Sequence, residues 1–125
     1  MNMKEWASLI GHAVVGWALC GATVGIGRQF VSMDTTLLVH AAVAPTVFAL
    51  LTWHHVSWYP KSSAAVTAVA MLLTVVGLDA LVVAPLFEHS YAMFTSVIGT
   101  WVPFASIFVA SYVVGLALRR GAGVR

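Results

Sequence analysis

MLLTVVGLDALVVAPLF, residues 71–87, is the stretch that decides how this chain folds. Asp79 is its one ionisable residue, and the rest is almost wholly aliphatic. Apolar runs of this kind fill the chain, at about residues 6–27, 36–56, 63–87 and 93–118. A helix needs about 20 apolar residues to cross the hydrocarbon core of a bilayer. In that core each backbone polar group must be satisfied within its own segment, so the runs are expected to be helices.

Composition agrees. Of 125 residues, 61% are hydrophobic and 8% are charged. Soluble domains carry about 25% charged residues, so a soluble fold is excluded. The expectation is an all-α, polytopic membrane protein: a four-transmembrane-helix bundle forming a single domain over residues 1–125. The first run is too long and too glycine-rich for the apolar core of a signal peptide, so it counts as a span.

The polar breaks carry turn chemistry. Asp34, Thr35 and Thr36 are placed to cap the second helix. YPKSS, residues 59–63, makes a turn before the third. Glu88, His89 and Ser90 close the third and open the fourth, with Glu88 and His89 expected as a solvated pair.

Lysine and arginine positions set the expected orientation. Four spans put both termini and the middle loop on one side, which holds Lys4, Lys61, Arg119, Arg120 and Arg125; the other holds Arg28. This bias predicts both termini in the cytoplasm and a multi-pass protein of the inner (plasma) membrane. Trp53, Trp58 and Tyr59 then anchor the inner interface, and Phe30, Phe87, Tyr91 and Phe94 the outer one.

Two function classes drop out. The basic residues sit at helix ends and form no patch interleaved with aromatics, so no nucleic-acid partner is expected. The single cysteine, Cys20, excludes an intrachain disulfide and a two-cysteine relay. Leu19 precedes it where a lipobox needs a small residue, so Cys20 is not expected to carry a lipid.

Asp79 carries the functional expectation. Ionisable groups at membrane depth are rare and mark functional sites by default. At a rise of about 1.5 Å per residue, Asp79 lies roughly 12 Å below the outer end of its span. By the same measure His40 lies roughly 6 Å deep in the second span, and Cys20 and Thr100 each roughly 10 Å deep in the first and fourth. Each helix thus offers one polar group to the outer leaflet. Asp79 and His40, a carboxylate and an imidazole, form the usual kit for proton transfer, for orienting a metal ligand or for holding a cation. The competing expectation is a structural hydrogen bond between the second and third helices.

Helical phase adds two stripes. His12, Gly16, Cys20, Thr23 and Gly27 share one side of the first helix, and Ser96, Gly99, Thr100 and Pro103 one side of the fourth. Small and polar stripes mark helix contacts or a cavity wall. Gly21 and Gly25 form GxxxG on the opposite side of the first helix, where a second subunit could pack. Pro45, Pro85 and Pro103 are expected to free the carbonyls of Ala41, Leu81 and Gly99.

Two further readings use the remaining residues. His12, His54 and His55 lie toward the inner side and could hold a b-type haem, but their expected depths match poorly. Met33, His40, Cys20 and Met93 are possible copper ligands without a repeated spacing to tie them together. No cofactor and no metal is therefore expected.

GATVGIGR resembles the glycine-rich first helix of the four-helix fluoride-channel family. HAAVAP then stands in the second span where that family carries an asparagine motif, and the later spans lack its phenylalanine and threonine-serine motifs. GHAVVGWALCGATVGIGR and GTWVPFASIFVASYVVG look more like a group of small uncharacterised bacterial four-span integral membrane proteins. That resemblance implies the four-span fold over nearly the whole chain and no mechanism.

The expected function is non-enzymatic. A small integral membrane protein binds or passes a small solute or a proton through the outer polar cluster of Asp79, His40, Thr100 and Cys20. Gly21, Gly25, Gly99 and Pro103 serve helix packing. The expected partners are the lipid bilayer and either further copies of the chain or another membrane protein. The alternatives are a non-catalytic accessory subunit of a larger membrane complex, and a membrane redox or metal-binding protein.

Overall fold

The computed structural model describes residues 2–124. Four α-helices account for most of them: α1 (Met3–Phe30), α2 (Met33–Trp58), α3 (Ala64–Leu78) and α4 (Val102–Val124). The α3 helix continues without a break into a π-helical segment, Asp79–Glu88, so its span runs to Glu88. A second π segment, Val97–Trp101, leads into α4. All four helical spans are long and apolar enough to cross a membrane.

Each of the first three helices begins at a side-chain cap. Asn2 Oδ1 accepts from the Glu5 N–H, Ser32 Oγ from Thr35 and Ser63 Oγ from Val66. These bonds satisfy backbone donors that have no partner within the helix. For α2 the cap lies earlier than the sequence suggested. Ser32 has the extended backbone a cap requires, whereas Asp34, Thr35 and Thr36 already lie inside the helix.

The fourth span also starts differently. Residues Ala92–Thr95 form a separate 3-10 turn, and Ser96 is extended before the π segment begins. Pro103 therefore stands one turn or more inside a continuous helical span that begins at Val97, just past the π segment. In the third span, the i→i+5 pattern makes Ala80 rather than Leu81 the carbonyl that Pro85 leaves without a donor.

The helices pack in a ring. α1 contacts α2 and α3, and α4 contacts α2 and α3, so α2 and α3 face each other across the diagonal. Leu9, Ala13, Phe48, Met71, Phe104 and Ile107 fill the centre. Leu38, Leu50, Leu73, Leu81 and Val109 point outward, the aliphatic surface that lipid requires.

Small residues bring the helices together. A Cβ on Gly16 would lie 2.5 Å from Phe48 Cζ, and one on Gly27 2.9 Å from Thr36 Cγ2. The Gly16 and Gly27 part of the first-helix stripe is thus an α1–α2 contact, and Cys20 between them is buried. A Cβ on Gly99 would meet Ser96 Oγ at 2.8 Å and Leu37 at 3.2 Å. By contrast, nothing lies within 4 Å of a Cβ on Gly21 or Gly25. Gly16→Ala should therefore destabilise the bundle by about 1–3 kcal/mol through overpacking against the fully buried Phe48 ring. Gly21→Ala and Gly25→Ala should leave monomer stability unchanged or slightly raised. Reversible unfolding in mixed micelles measures all three, and a tolerated Gly16→Ala would show that α1 and α2 do not approach as described.

Candidate functional site

Asp79 stands where α3 changes from α to π geometry. Its backbone N–H is shared between the Val75 and Val76 carbonyls, a bifurcated bond of the kind found where a helix ends, and the wider π turns begin after it. Stretches of π-helix add a residue to the turn and are frequent at functional sites. The Asp79 side chain is half-buried and faces α1, where Trp17 Nε1–H donates to Asp79 Oδ1 at 3.0 Å. Asp79 Oδ2 has no hydrogen-bond partner among the described residues, yet it is not sealed from the surface.

Farther along the same seam, Arg28 Nη1 donates to Glu88 Oε1 at 3.1 Å. Glu88 therefore pairs with α1 and not with His89, its expected neighbour. His89 instead adopts the left-handed conformation, φ 53°, which closes the π segment. Between the two links lie Gly21 and Gly25, open on their outer side.

The expected Asp79–His40 pair does not form. The two residues belong to α3 and α2, which sit on the diagonal of the ring, and no hydrogen bond or ion pair joins them. The four expected site residues split into two sets. Asp79 and Cys20 lie on the neighbouring elements α3 and α1. His40 lies on α2 and Thr100 in the π segment before α4, which packs against α2. Thr100 Oγ1 donates back to the Met93 carbonyl at 2.6 Å, which ties the 3-10 turn to the π segment. His40 is 9% exposed, and its Nδ1 is buried without a partner.

Trp17 was missed at the sequence level. The available signal was depth: it lies about ten residues, roughly 15 Å, below Gly27, close to the expected depth of Asp79. Its indole is a donor only, so a carboxylate at matching depth is a natural acceptor.

At the end of the bundle that carries the N terminus, three histidines come together. His12 Nε2 and His54 Nδ1 lie 2.8 Å apart, and Trp58 Nε1 donates to His54 Nε2 at 3.3 Å. His12 Nδ1 lies 2.6 Å from the Ser8 carbonyl. His55, fully buried, has Nδ1 3.0 Å from Ser8 Oγ and Nε2 3.3 Å from Ser62 Oγ. The poor match of depths expected for His12 and His54 is thus corrected, because the side chains span the difference. At 2.8 Å the two nitrogens share a hydrogen and leave no room for a haem iron between them. Two imidazoles on one tetrahedral zinc stand about 3.3 Å apart for bonds of roughly 2.0 Å. Among the described residues no group of three histidine, cysteine or acidic side chains is placed to hold a metal ion.

These features define a four-helix membrane bundle with one carboxylate at membrane depth and a histidine cluster toward one end. No protein-family model, curated protein or solved structure matches the chain.

The Trp17 bond is testable by itself. Hydrogen bonds between membrane helices average about 0.6 kcal/mol, so Trp17→Phe should cost that much or somewhat more. Arg28→Gln should cost less, because the Arg28–Glu88 pair is exposed and such pairs contribute about 0–1 kcal/mol. Unfolding in mixed micelles compares the two, and an unchanged Trp17→Phe would remove this bond from the account of α1–α3 packing.

Proposed function

We propose that the protein binds and passes protons, with Asp79 as the group that takes up and gives back each one. The observation that carries this reading is a half-buried carboxylate with one oxygen held by Trp17 and the other free. A carboxylate with both oxygens bonded would be a packing element. A fixed carboxylate with a free oxygen is suited to accept a proton, and in apolar surroundings the neutral and charged forms differ greatly in cost.

The remaining assignments follow from sequence and are part of the same proposal. The protein belongs to the bacterial inner membrane with both termini in the cytoplasm, which places Asp79 in the outer half of the bilayer. Two or more copies assemble through the Gly21 and Gly25 face of α1, which packs on nothing within the monomer. Such a contact would shield the Asp79 seam from lipid. The chemistry involves no bond breaking beyond proton transfer, so no enzyme activity is assigned.

Two experiments check this reading. In proteoliposomes with a pH-sensitive dye, Asp79→Asn should abolish proton flux while expression and fold remain near wild type. Asparagine keeps the shape and can still accept from Trp17. Full flux in that variant would make Asp79 a packing residue. For assembly, Gly21→Leu combined with Gly25→Leu should shift the oligomer distribution in mild detergent toward monomer. An unchanged distribution with the fold intact would take this face out of the interface.

A further inference from the structure

We infer that His54, His12, Ser8, His55 and Ser62 form a second proton-handling site, a relay leading from the surface of α2 to the buried interior of the bundle. The inference rests on the proton as the species handled, as proposed above, but on separate residues at the other end of the molecule. It follows from the hydrogen bonds alone.

Both ends of the His54–His12 pair are fixed by groups that play one role. The Trp58 indole N–H only donates, so His54 Nε2 must accept. A neutral imidazole that accepts at Nε2 carries its hydrogen at Nδ1, and that hydrogen points to His12 Nε2. His12 Nε2 therefore accepts, and its hydrogen sits on Nδ1, facing the Ser8 carbonyl, which only accepts. Donor and acceptor roles agree at each link, and both rings are neutral with the hydrogen on Nδ1. Isolated histidine favours the other tautomer, so this polarity is imposed by the neighbours.

The chain continues through a hydroxyl. Ser8 Oγ lies 3.3 Å from His12 Nδ1 and 3.0 Å from His55 Nδ1. Serine both donates and accepts, so it links the two rings. His55 then addresses Ser62 Oγ through Nε2. Exposure falls along the route: His54 is exposed, His12 and Ser8 are half-buried, and His55 and Ser62 are buried. A groove of about 580 Å³, lined in part by Ser8, Gly11, His12 and His54, opens onto the entry pair.

The transfer balances. A proton arriving at His54 Nε2 displaces the Trp58 bond, and the Nδ1 hydrogen of His54 passes to His12 Nε2. His12 releases its Nδ1 hydrogen to Ser8 Oγ while the Ser8 hydroxyl hydrogen passes to His55 Nδ1. His55 holds the arriving proton, with its Nε2–H donating to Ser62 Oγ. One proton enters and rests on His55, His54 and His12 end as their other tautomers, and its return by the same route resets the chain.

Beyond Ser62 the same half of the bundle holds the buried hydroxyls of Thr52, Thr67 and Ser111, on α2, α3 and α4, none with a protein partner. Thr23, Thr46, Ser57 and Thr74 each bond the carbonyl four residues earlier. The three buried hydroxyls do not, and an unbonded buried hydroxyl is costly.

The test is nitrogen NMR of the full-length protein labelled with 15N-histidine in nanodiscs. Near neutral pH, His12 and His54 should both carry hydrogen on Nδ1, and on acidification the signals of the two rings should move together. Trp58→Phe should release His54 from this tautomer. Asp79→Asn should leave the whole pattern intact, so failure of the Asp79 reading and failure of the relay are distinguishable. Hydrogen on Nε2 of either ring in the wild type, or rings that respond to acid independently, would overturn the relay.

Discussion

The adjacency of α1 and α3 is the constraint on which the rest of this structure depends. In a ring of four helices each element has two neighbours and one diagonal. With α1 and α4 as the neighbours of α3, the imidazole of α2 is on the diagonal, and the carboxylate of α3 meets Trp17 on α1. Trp17 meets Asp79 on one side of the open Gly21–Gly25 stretch, and Arg28 meets Glu88 on the other. The widened turn from Asp79 onward then sets how the end of α3 and the entry to α4 are arranged.

The fold class was legible from composition and run length. Four apolar runs with short polar breaks leave few alternatives in lipid, because only self-satisfied backbones survive there. What was not legible is which helix neighbours which. Helical phase assigned Gly16, Cys20 and Gly27 to a shared face correctly, but phase says nothing of the partner helix. Asp79 was thus expected beside His40, whereas its partner is Trp17. The Ser32 cap and the two π segments were also missed. They depend on local backbone geometry around Ser96 and Pro85 that a hydropathy pattern does not encode.

The histidine cluster shows the limit of depth arithmetic. A rise per residue places Cα atoms, whereas His12 and His54 meet through side chains several ångströms long. Ser8 and Ser62 carry no sequence signal of their own. They matter because each stands beside His55, and only the packed structure brings these residues together from α1, α2 and the turn that follows it. The apolar centre of Leu9, Ala13, Phe48, Met71 and Ile107 is interrupted by polar groups that are either bonded in short chains or left without a protein partner.

Infrared difference spectroscopy of protein labelled with 13C-aspartate tests the central claim most directly. The chain holds two aspartates, Asp34 near the start of α2 and Asp79, so Asp79→Asn assigns the signal without ambiguity. The account predicts a protonated carboxyl band from Asp79 that appears and disappears reversibly as the pH of the medium is changed, and that shifts in frequency in Trp17→Phe. An Asp79 carboxyl that keeps one protonation state throughout the pH range in which the protein passes protons would contradict it.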